Sequence, residues 1–350
     1  MAHSRFPVFT AVLVAAAAWS AASFAAPVRD ISVSLSTEKT ALDATQDVVV
    51  EVSITNNANH PVHVLKWYTP ADEVEEALFA ITRDGVRLPY LGAHYKRPAP
   101  TGKDYLKLAP GETLTRSVEL SALYDLTQTG AYAIRYQIGA VDLVNDRAAP
   151  AGGRRGVDEL ASNTLDVWIQ GHEFKSALPK GPPAGGGGSC SNTQLAALET
   201  ARTDATGYAT VAQNYLASYA TGSQRFPKWF GTNTSSRWVT AQSHFSAIRA
   251  AMPSLTFDCS CRKSYYAYVY PTQPYKVYLC NAFWNALAKG TDSKAGTLIH
   301  ETSHFNVVAS TDDWAYGQTA AANLAISDSA KALDNADSHE YFAEDTPHLP

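Results

Sequence analysis

A segment rich in proline and glycine, SALPKGPPAGGGGS at residues 176–189, divides this chain into two parts of different character. Proline lacks the backbone N–H that helices and central strands need, and glycine loses much conformational entropy when it is ordered. Such a segment indicates an exposed linker between two units that each bury their own core. A chain of 350 residues is long enough for two such domains.

The part before the linker has the alternation of a β-rich domain. Runs such as ISVSLS, VVVEVSITN and AYAIRYQI alternate apolar with polar residues, and turns rich in Asn, Pro and Gly separate them. Alternate side chains of a strand lie on opposite faces, so each run can bury one face. We therefore predict an all-β antiparallel sandwich at residues 27–175.

The part after the linker, residues 190–350, has a mainly helical pattern. SNTQLAALETARTDATGYATVAQNYL places alanine and other apolar residues at helical spacing behind a serine start signal. The stretch YYAYVYPTQPYKVYLC interrupts this pattern with the signature of a β-hairpin. We predict a mainly α domain that contains one small β-hairpin.

The first 26 residues have the pattern of a secretory signal peptide. Arg5 supplies the positive start, FPVFTAVLVAAAAW the apolar run, and Ser23-Phe24-Ala25 a small-x-small cleavage site. The apolar run is shorter than the roughly 20 residues of a membrane span. We expect a secreted, extracellular protein with no membrane partner. The net charge of −5 gives no reason to expect nucleic acid as a partner.

Four cysteines agree with an oxidising compartment. They are Cys190, Cys259, Cys261 and Cys280, all in the second part. An even number in an exported protein favours two disulfides, and the C-x2-C spacing of many zinc sites is absent. Cys259 and Cys261 are too close to pair comfortably with each other. We favour Cys190–Cys259 with Cys261–Cys280, and the crossed pairing stays open.

Residues 296–308, GTLIHETSHFNVV, contain an H-E-x-x-H motif. On a helix, His300 and His304 lie one turn apart on one face, so both imidazoles can reach one zinc ion. Glu301 lies on the neighbouring face, where a carboxylate can act as a general base instead of a ligand. Two surface histidines are the alternative, but the apolar flanks bury this helix, where unpaired histidines would be costly.

A catalytic zinc ion needs a third protein ligand, and the motif alone leaves it open. The metzincin continuation is excluded, since it needs glycine at Val307 and histidine at Ser310. A gluzincin takes a glutamate from a later helix, and Glu340 is the next glutamate along the chain. Asp312 and Asp313, in a polar loop, are the nearer candidates.

HETSH followed by STDDWAYG resembles the signature of the aspzincin metalloendopeptidases, the group of deuterolysin and peptidyl-Lys metalloendopeptidase. The resemblance covers residues 190–350 and includes WFGT, YAYVYP, LCNAFW and NADSHEYFAE. Ser310 departs from the glycine that the family usually has, without removing a ligand.

The resemblance implies a zinc peptidase site. One catalytic Zn²⁺ would be held by His300, His304 and Asp313. Glu301 would act as general base and acid, and Tyr316 would stabilise the oxyanion. Such a site hydrolyses peptide bonds.

Within the resembling group, the segment that corresponds to NADSHEYF lines a pocket for a lysine side chain. Asp337 and Glu340 are three residues apart, which places them on one face of a helical turn. Neighbouring carboxylates repel unless a cation lies between them. A solvated acidic face is the alternative. We expect cleavage of protein or peptide substrates on the N-terminal side of an accessible lysine, at Xaa-Lys bonds.

The β-rich half contains no catalytic set and no cysteine, and it precedes a complete protease. We expect a monomeric proenzyme in which this half is an intramolecular inhibitor. The basic loop HYKRPAPTGKDY is the expected inhibitory element, with Lys96 or Lys103 in the acidic pocket. A lysine-specific enzyme would release itself by cleavage before Lys175 or Lys180, although Pro179 restricts the backbone at the second bond.

Three other functions stay open at this point. The β-rich half could be a permanent accessory domain of an adhesin or carbohydrate-binding protein. The protease could be a gluzincin of broader specificity with Glu340 as a ligand. The metal could be purely structural. An intact set of motif residues argues against a degenerate protease, and a general base would be idle in a structural site.

Overall fold

The computed structural model of the chain describes residues 26–27, 30–145, 156–171 and 190–350. The described residues up to 171 are β-rich and those from 190 onward are mainly helical, which confirms the secondary structure that the sequence predicts for each part. The expected linker, residues 176–189 with Lys180, lies outside the described residues, as do Lys175 before it and residues 1–25 of the expected signal peptide.

The strands and helices follow one another along the chain in two groups. The strands are β1 (Ala26–Pro27), β2 (Ile31–Ser36), β3 (Ala41–Leu42), β4 (Val49–Asn56), β5 (Val62–Leu65), β6 (Phe79–Arg83), β7 (Val86–Arg87), β8 (His94–Lys96), β9 (Tyr105–Leu108), β10 (Thr113–Glu119), β11 (Gly130–Val141), β12 (Val144–Asn145), β13 (Val157–Ile169), β14 (Thr256–Asp258), β15 (Ala267–Val269) and β16 (Lys276–Leu279). The α-helices are α1 (Asn192–Tyr215), α2 (Arg225–Phe230), α3 (Ser235–Ala251), α4 (Asn281–Asn285), α5 (Lys294–His304), α6 (Gln318–Ser327), α7 (Ser329–Leu333) and α8 (Ala336–Glu344).

The N-terminal strands form three sheets around one hydrophobic core. The sheet orders are β1-β13-β11-β6-β7, with β3 also paired to β13, then β10-β4-β2 and β12-β5-β9. All pairs are antiparallel except those of β1 and β3 with β13. Alternation works as the sequence predicts, since β2 buries Ile31, Val33 and Leu35 and exposes the serines between them. Each such burial stabilises the fold by about 1.5–3 kcal/mol.

The C-terminal helices pack around α5. Ser191 begins α1 with a capping box: its side chain accepts from the Gln194 N–H, and the Gln194 side chain accepts from the Ser191 N–H. Alanines at Ala201, Ala205 and Ala209 are buried on one face of α1 because they recur every four residues. They belong to the hydrophobic core of the helical part, in which α1 packs on α5, and α5 also contacts α3 and α8.

Two disulfides and a hairpin tie the helical part together. The bonds are Cys190–Cys259 and Cys261–Cys280, the favoured one of the two pairings left open by the sequence. They close loops of the unfolded chain and so reduce its conformational entropy. The predicted hairpin is present, with β15 antiparallel to β16. No helix among the described residues has the length and apolar character that crossing a membrane requires.

One strand of the N-terminal part belongs to the sheet of the C-terminal part. The basic segment expected to be a loop contains β8, which pairs antiparallel with β15 and completes the order β14-β16-β15-β8. Lys96 lies opposite Ala267, and His94 lies opposite Val269. A strand of three residues is too short to show a periodic pattern in the sequence. Its extended conformation is determined by pairing with the edge strand β15.

Candidate metal centre and substrate pocket

Helix α5 presents the H-E-x-x-H motif inside the protein. Ser293 begins this helix, since its side chain accepts a hydrogen bond from the Gly296 N–H, and every residue after Lys294 is buried. The chain then folds back so that the Thr311 N–H donates to the Ser303 carbonyl oxygen. This return brings Asp313 against the two histidines.

Three side chains converge on one point. The Nε2 atoms of His300 and His304 are 3.1 Å apart. Asp313 Oδ1 lies 3.4 Å from Nε2 of His300, and Asp313 Oδ2 lies 3.4 Å from Nε2 of His304. All three side chains are fully buried. The sequence-predicted ligand set is therefore together in space.

The hydrogen bonds around these histidines determine where their protons lie. Nδ1 of His300 is 2.8 Å from Asp337 Oδ1, and Nδ1 of His304 is 2.7 Å from the Thr311 carbonyl oxygen. Both partners accept, so each Nδ1 carries the proton and each Nε2 presents a lone pair. Burial lowers the pKa of His300 to about 4 and that of His304 well below its usual range, which keeps both rings neutral.

The donor set fits a metal ion. The two Nε2 lone pairs face a carboxylate, Asp313, neither of whose oxygens receives a hydrogen bond from the described residues. Burial raises the pKa of Asp313 well above its usual range. A carboxylate that is to stay ionised in this buried position therefore needs a cation beside it. Two imidazoles and one carboxylate are ligands that Zn²⁺ binds, with a fourth position open.

Glu301 lies on α5 beside the first histidine and does not join the converging atoms. Its Oε1 accepts a hydrogen bond of 3.1 Å from the Lys96 backbone N–H. Its Oε2 has no hydrogen-bond partner in the described ranges. Burial raises the pKa of Glu301 well above its usual range.

Tyr316 is buried next to the loop that carries Asp313, and its hydroxyl forms hydrogen bonds with residues of the N-terminal part. Its hydroxyl donates to Glu76 Oε1 at 2.8 Å and accepts from Arg97 Nη1 at 2.8 Å. Arg97 also forms ion pairs with Glu75 and Glu76. Burial raises the pKa of Tyr316 well above its usual range, so the hydroxyl keeps its proton. The sequence gives no sign of Glu76, and it indicates Arg97 only as a member of the basic segment that contains Lys96.

An acidic pocket surrounds one lysine from the N-terminal part. The Lys96 ammonium lies 2.7 Å from Glu340 Oε2, 3.2 Å from Asp337 Oδ1 and 3.0 Å from Asp292 Oδ1. Lys96, Asp337 and Glu340 are fully buried. Burial alone would raise the pKa of Asp337, but Lys96 and the His300 hydrogen bond bring it below its usual value. Asp292 is a pocket residue that sequence reasoning missed, since it precedes α5 and shares no spacing with the other two.

Residue 296 of α5 is a glycine that lies against glutamate carboxylates of α8. A Cβ at Gly296 would lie 2.0 Å from Glu344 Oε1 and 2.8 Å from Glu340 Oε1. A side chain here would require the carboxylate ends of Glu344 and Glu340 to move, and Glu340 is one of the pocket carboxylates. The pocket therefore depends on a residue within the apolar lead-in to the motif.

Three candidates from the sequence lie away from the converging ligand atoms. Glu340 Oε2 is 3.7 Å from His300 Nδ1, on the ring edge opposite the Nε2 that faces Asp313, so its position does not favour the gluzincin ligand set. The Asp312 side chain is 41% exposed, as expected for a solvated residue. Lys103, the second candidate for the acidic pocket, is exposed in a surface turn closed by the Thr101–Asp104 hydrogen bonds. Of the two lysines predicted for the acidic pocket, Lys96 reaches it and Lys103 does not.

Comparison with known proteins agrees with this geometry. Residues 215–344 match the family model described as lysine-specific metallo-endopeptidase, the aspzincin family. The chain is 45% identical over 315 residues to an extracellular protease of Aeromonas hydrophila, covering 87% of this chain and 90% of that protein. It is 32% identical over 360 residues to a peptidyl-Lys metalloendopeptidase of Armillaria mellea, covering 98% of each.

Among solved structures, a zinc peptidase from Grifola frondosa is similar to the chain at 44% identity. That match covers 46% of this chain and 100% of that one, with a TM-score of 0.45. The two sequence relatives are similar over nearly their whole length. This chain therefore belongs to the aspzincin family of zinc-dependent metalloendopeptidases.

Proposed function

We propose that this protein is an exported zinc endopeptidase that cleaves Xaa-Lys bonds and is made as a latent proenzyme. The observation that carries the proposal is the Lys96 side chain, which lies among three carboxylates while its backbone N–H bonds to Glu301. A lysine in this position has its ammonium and its amide nitrogen where a substrate lysine would need them.

The metal would be held by His300, His304 and Asp313. When bound, Zn²⁺ lowers the pKa of a water molecule and polarises a carbonyl as a Lewis acid. The Asp337 carboxylate orients His300 by accepting from Nδ1, which raises the basicity of Nε2. Asp337 thus contacts both His300, a proposed metal ligand, and Lys96 in the pocket. The same carboxylate would therefore act in metal binding and in substrate recognition.

Glu301 and Tyr316 would carry the proton transfer and the charge of the reaction. Glu301 takes a proton from the attacking water and returns it to the leaving amine. The Lys96 N–H, 3.1 Å from Glu301 Oε1, marks where that amine would lie. The protonated hydroxyl of Tyr316 would stabilise the oxyanion once Glu76 and Arg97 have left it.

Specificity for lysine follows from the shape and charge of the pocket. Asp292, Asp337 and Glu340 surround a compact ammonium within 3.2 Å. The guanidinium of arginine is wider and planar, and it would have to separate carboxylates that α5 and α8 hold in place. The name of the Armillaria mellea relative agrees with this specificity.

Latency follows from the way the N-terminal half enters the site. We infer that residues 27–175 form a sandwich prodomain that adds β8 to the edge of the protease sheet, as extended peptides bind to open strands. No substrate lysine can enter while Lys96 fills the pocket. Cleavage before Lys175 or Lys180 would release the inhibitor after export, for which residues 1–26 are the proposed signal.

The proposal is tested by comparing the purified wild type with Glu301→Gln. Wild type should lose its N-terminal half and leave a fragment of about 18–19 kDa, using ~110 Da per residue of a compact domain. It should then hydrolyse lysine peptides until a zinc chelator is added. Glu301→Gln should bind one Zn²⁺, stay full length and lose activity by about 10²–10⁴-fold. A Glu301→Gln protein that matures and hydrolyses peptides like wild type would overturn the assignment.

A further inference from the structure

A third histidine lies beside the converging ligands, and it comes from the inhibitory strand. His94, on β8, is 9% exposed and its ring centroid is 4.8 Å from that of His304. Each of His94, His304 and Asp313 offers a ligand atom, and these atoms lie within 4.8 Å of one another. Nδ1 of His94 has no hydrogen-bond partner in the described part of the chain, and Asp312 Oδ1 is 3.6 Å from it.

The pairing of β8 explains why this histidine reaches the ligands. Residues two apart on a strand share a face and are separated by about 6.6 Å along it. His94 and Lys96 are such a pair, opposite Val269 and Ala267 of β15. One strand face therefore directs Lys96 into the acidic pocket and His94 toward the metal ligands.

We propose that His94 is a zinc ligand of the latent form, a third imidazole beside His300 and His304. The proposal rests on the zinc site of the proposed function. A catalytic zinc site keeps one position open for the reacting water or carbonyl. His94 fills that position, so the Tyr95–Lys96 bond lies in the cleavage site without being cut. Release of β8 removes the pocket lysine and opens the metal in one step.

The test counts imidazoles on the metal in the full-length chain. Glu301→Gln serves as the parent because it does not process itself, and it is loaded with Zn²⁺ and measured by X-ray absorption. The parent should show three imidazole ligands, and Glu301→Gln/His94→Gln should show two. The double variant should bind Zn²⁺ at least about tenfold more weakly. Glu301→Gln/His60→Gln, changed at an exposed histidine of the same half, is the matched control and should equal the parent.

A second variant gives a positive signal that does not depend on lost stability. Glu301→Gln/His94→Cys, loaded with Co²⁺, should show a thiolate-to-cobalt charge-transfer band that the parent lacks. Absence of this band, together with two imidazoles in both parent and His94→Gln, would overturn the role of His94 while leaving the zinc site intact. A parent that binds no Zn²⁺ would instead overturn the proposed function, and His94 with it.

Discussion

At the scale of single residues, the site is built from acceptor atoms that face one another in a buried volume. The Nε2 atoms of His300 and His304 meet the carboxylate of Asp313, to which no described residue donates a hydrogen bond. The sequence could predict these residues because a helix of 3.6 residues per turn brings positions four apart together. It could not predict Asp292, since no spacing links a turn before α5 to carboxylates on α8.

Replacing Asp313 distinguishes the two candidate ligand sets. Asp313→Ala should weaken zinc binding by at least about 100-fold, because it removes a carboxylate that faces both histidines. Glu340→Ala should keep the metal, because Glu340 lies on the Nδ1 side of His300. Metal analysis after dialysis checks both variants. Zinc kept by Asp313→Ala and lost by Glu340→Ala would contradict the ligand assignment.

At the scale of elements, α3 and α8 are joined by a hydrogen bond between two histidines, the half-buried His244 and the fully buried His339. Nδ1 of His244 lies 2.9 Å from Nε2 of His339, whose own Nδ1 bonds to the Asn335 carbonyl oxygen. Burial lowers the pKa of His244 to about 4 and that of His339 to about 3. These residues have a structural role in carrying α8, and with it Asp337 and Glu340, against the rest of the helical part.

This pair should make the fold sensitive to acid. Both folded pKa values lie below the unfolded value of 6.5, so the stability is present above pH 6.5 and is lost as the pH falls toward 4 and 3. Between pH 7 and pH 5 the loss should be about 1–2 kcal/mol per histidine. Urea unfolding of full-length Glu301→Gln, with and without His244→Gln/His339→Gln, measures it. Equal losses in the two proteins would contradict this role.

Elements also show where sequence reasoning ends. The long strands and α1, α3 and α5 follow from periodicity and from start signals such as Ser191. Strand β8 does not, because its partner β15 lies more than 170 residues further along the chain, as the pairing of Lys96 with Ala267 shows. The charge of the basic segment was visible in the sequence. Its strand β8 and the position of that strand in the site were not, because both depend on the tertiary pairing with β15.

At the scale of the whole molecule, the two halves are joined by buried charged and polar groups. Lys96 of the N-terminal half lies among the carboxylates of the acidic pocket, and Arg97, which pairs with Glu75 and Glu76 of its own half, donates to Tyr316 of the other half. Removing one partner of such a group leaves an uncompensated buried charge, which costs about 3–5 kcal/mol. The interface between the halves is therefore stable when all these groups are paired, and replacing a single partner should destabilise it.

Lys96→Met should therefore weaken latency. The variant leaves the pocket carboxylates without their cation, so the N-terminal half should detach more readily and maturation should be at least about tenfold faster. Lys103→Met is the matched control, since Lys103 is exposed on the same segment and should leave the rate unchanged. Gel analysis of the full-length band over time gives both rates. Equal rates for Lys96→Met and wild type would show that the lysine does not hold the inhibitor.

Cleavage on the N-terminal side of lysine can be read from the N-termini of the product fragments. A denatured protein is digested with the matured enzyme, and the fragments are sequenced by mass spectrometry. Lysine should begin nearly every internal fragment and arginine almost none. Asp337→Asn/Glu340→Gln should lose this preference, because the pocket no longer carries their two charges. If the N-termini of the wild-type fragments show no excess of lysine, the enzyme is not specific for Xaa-Lys bonds.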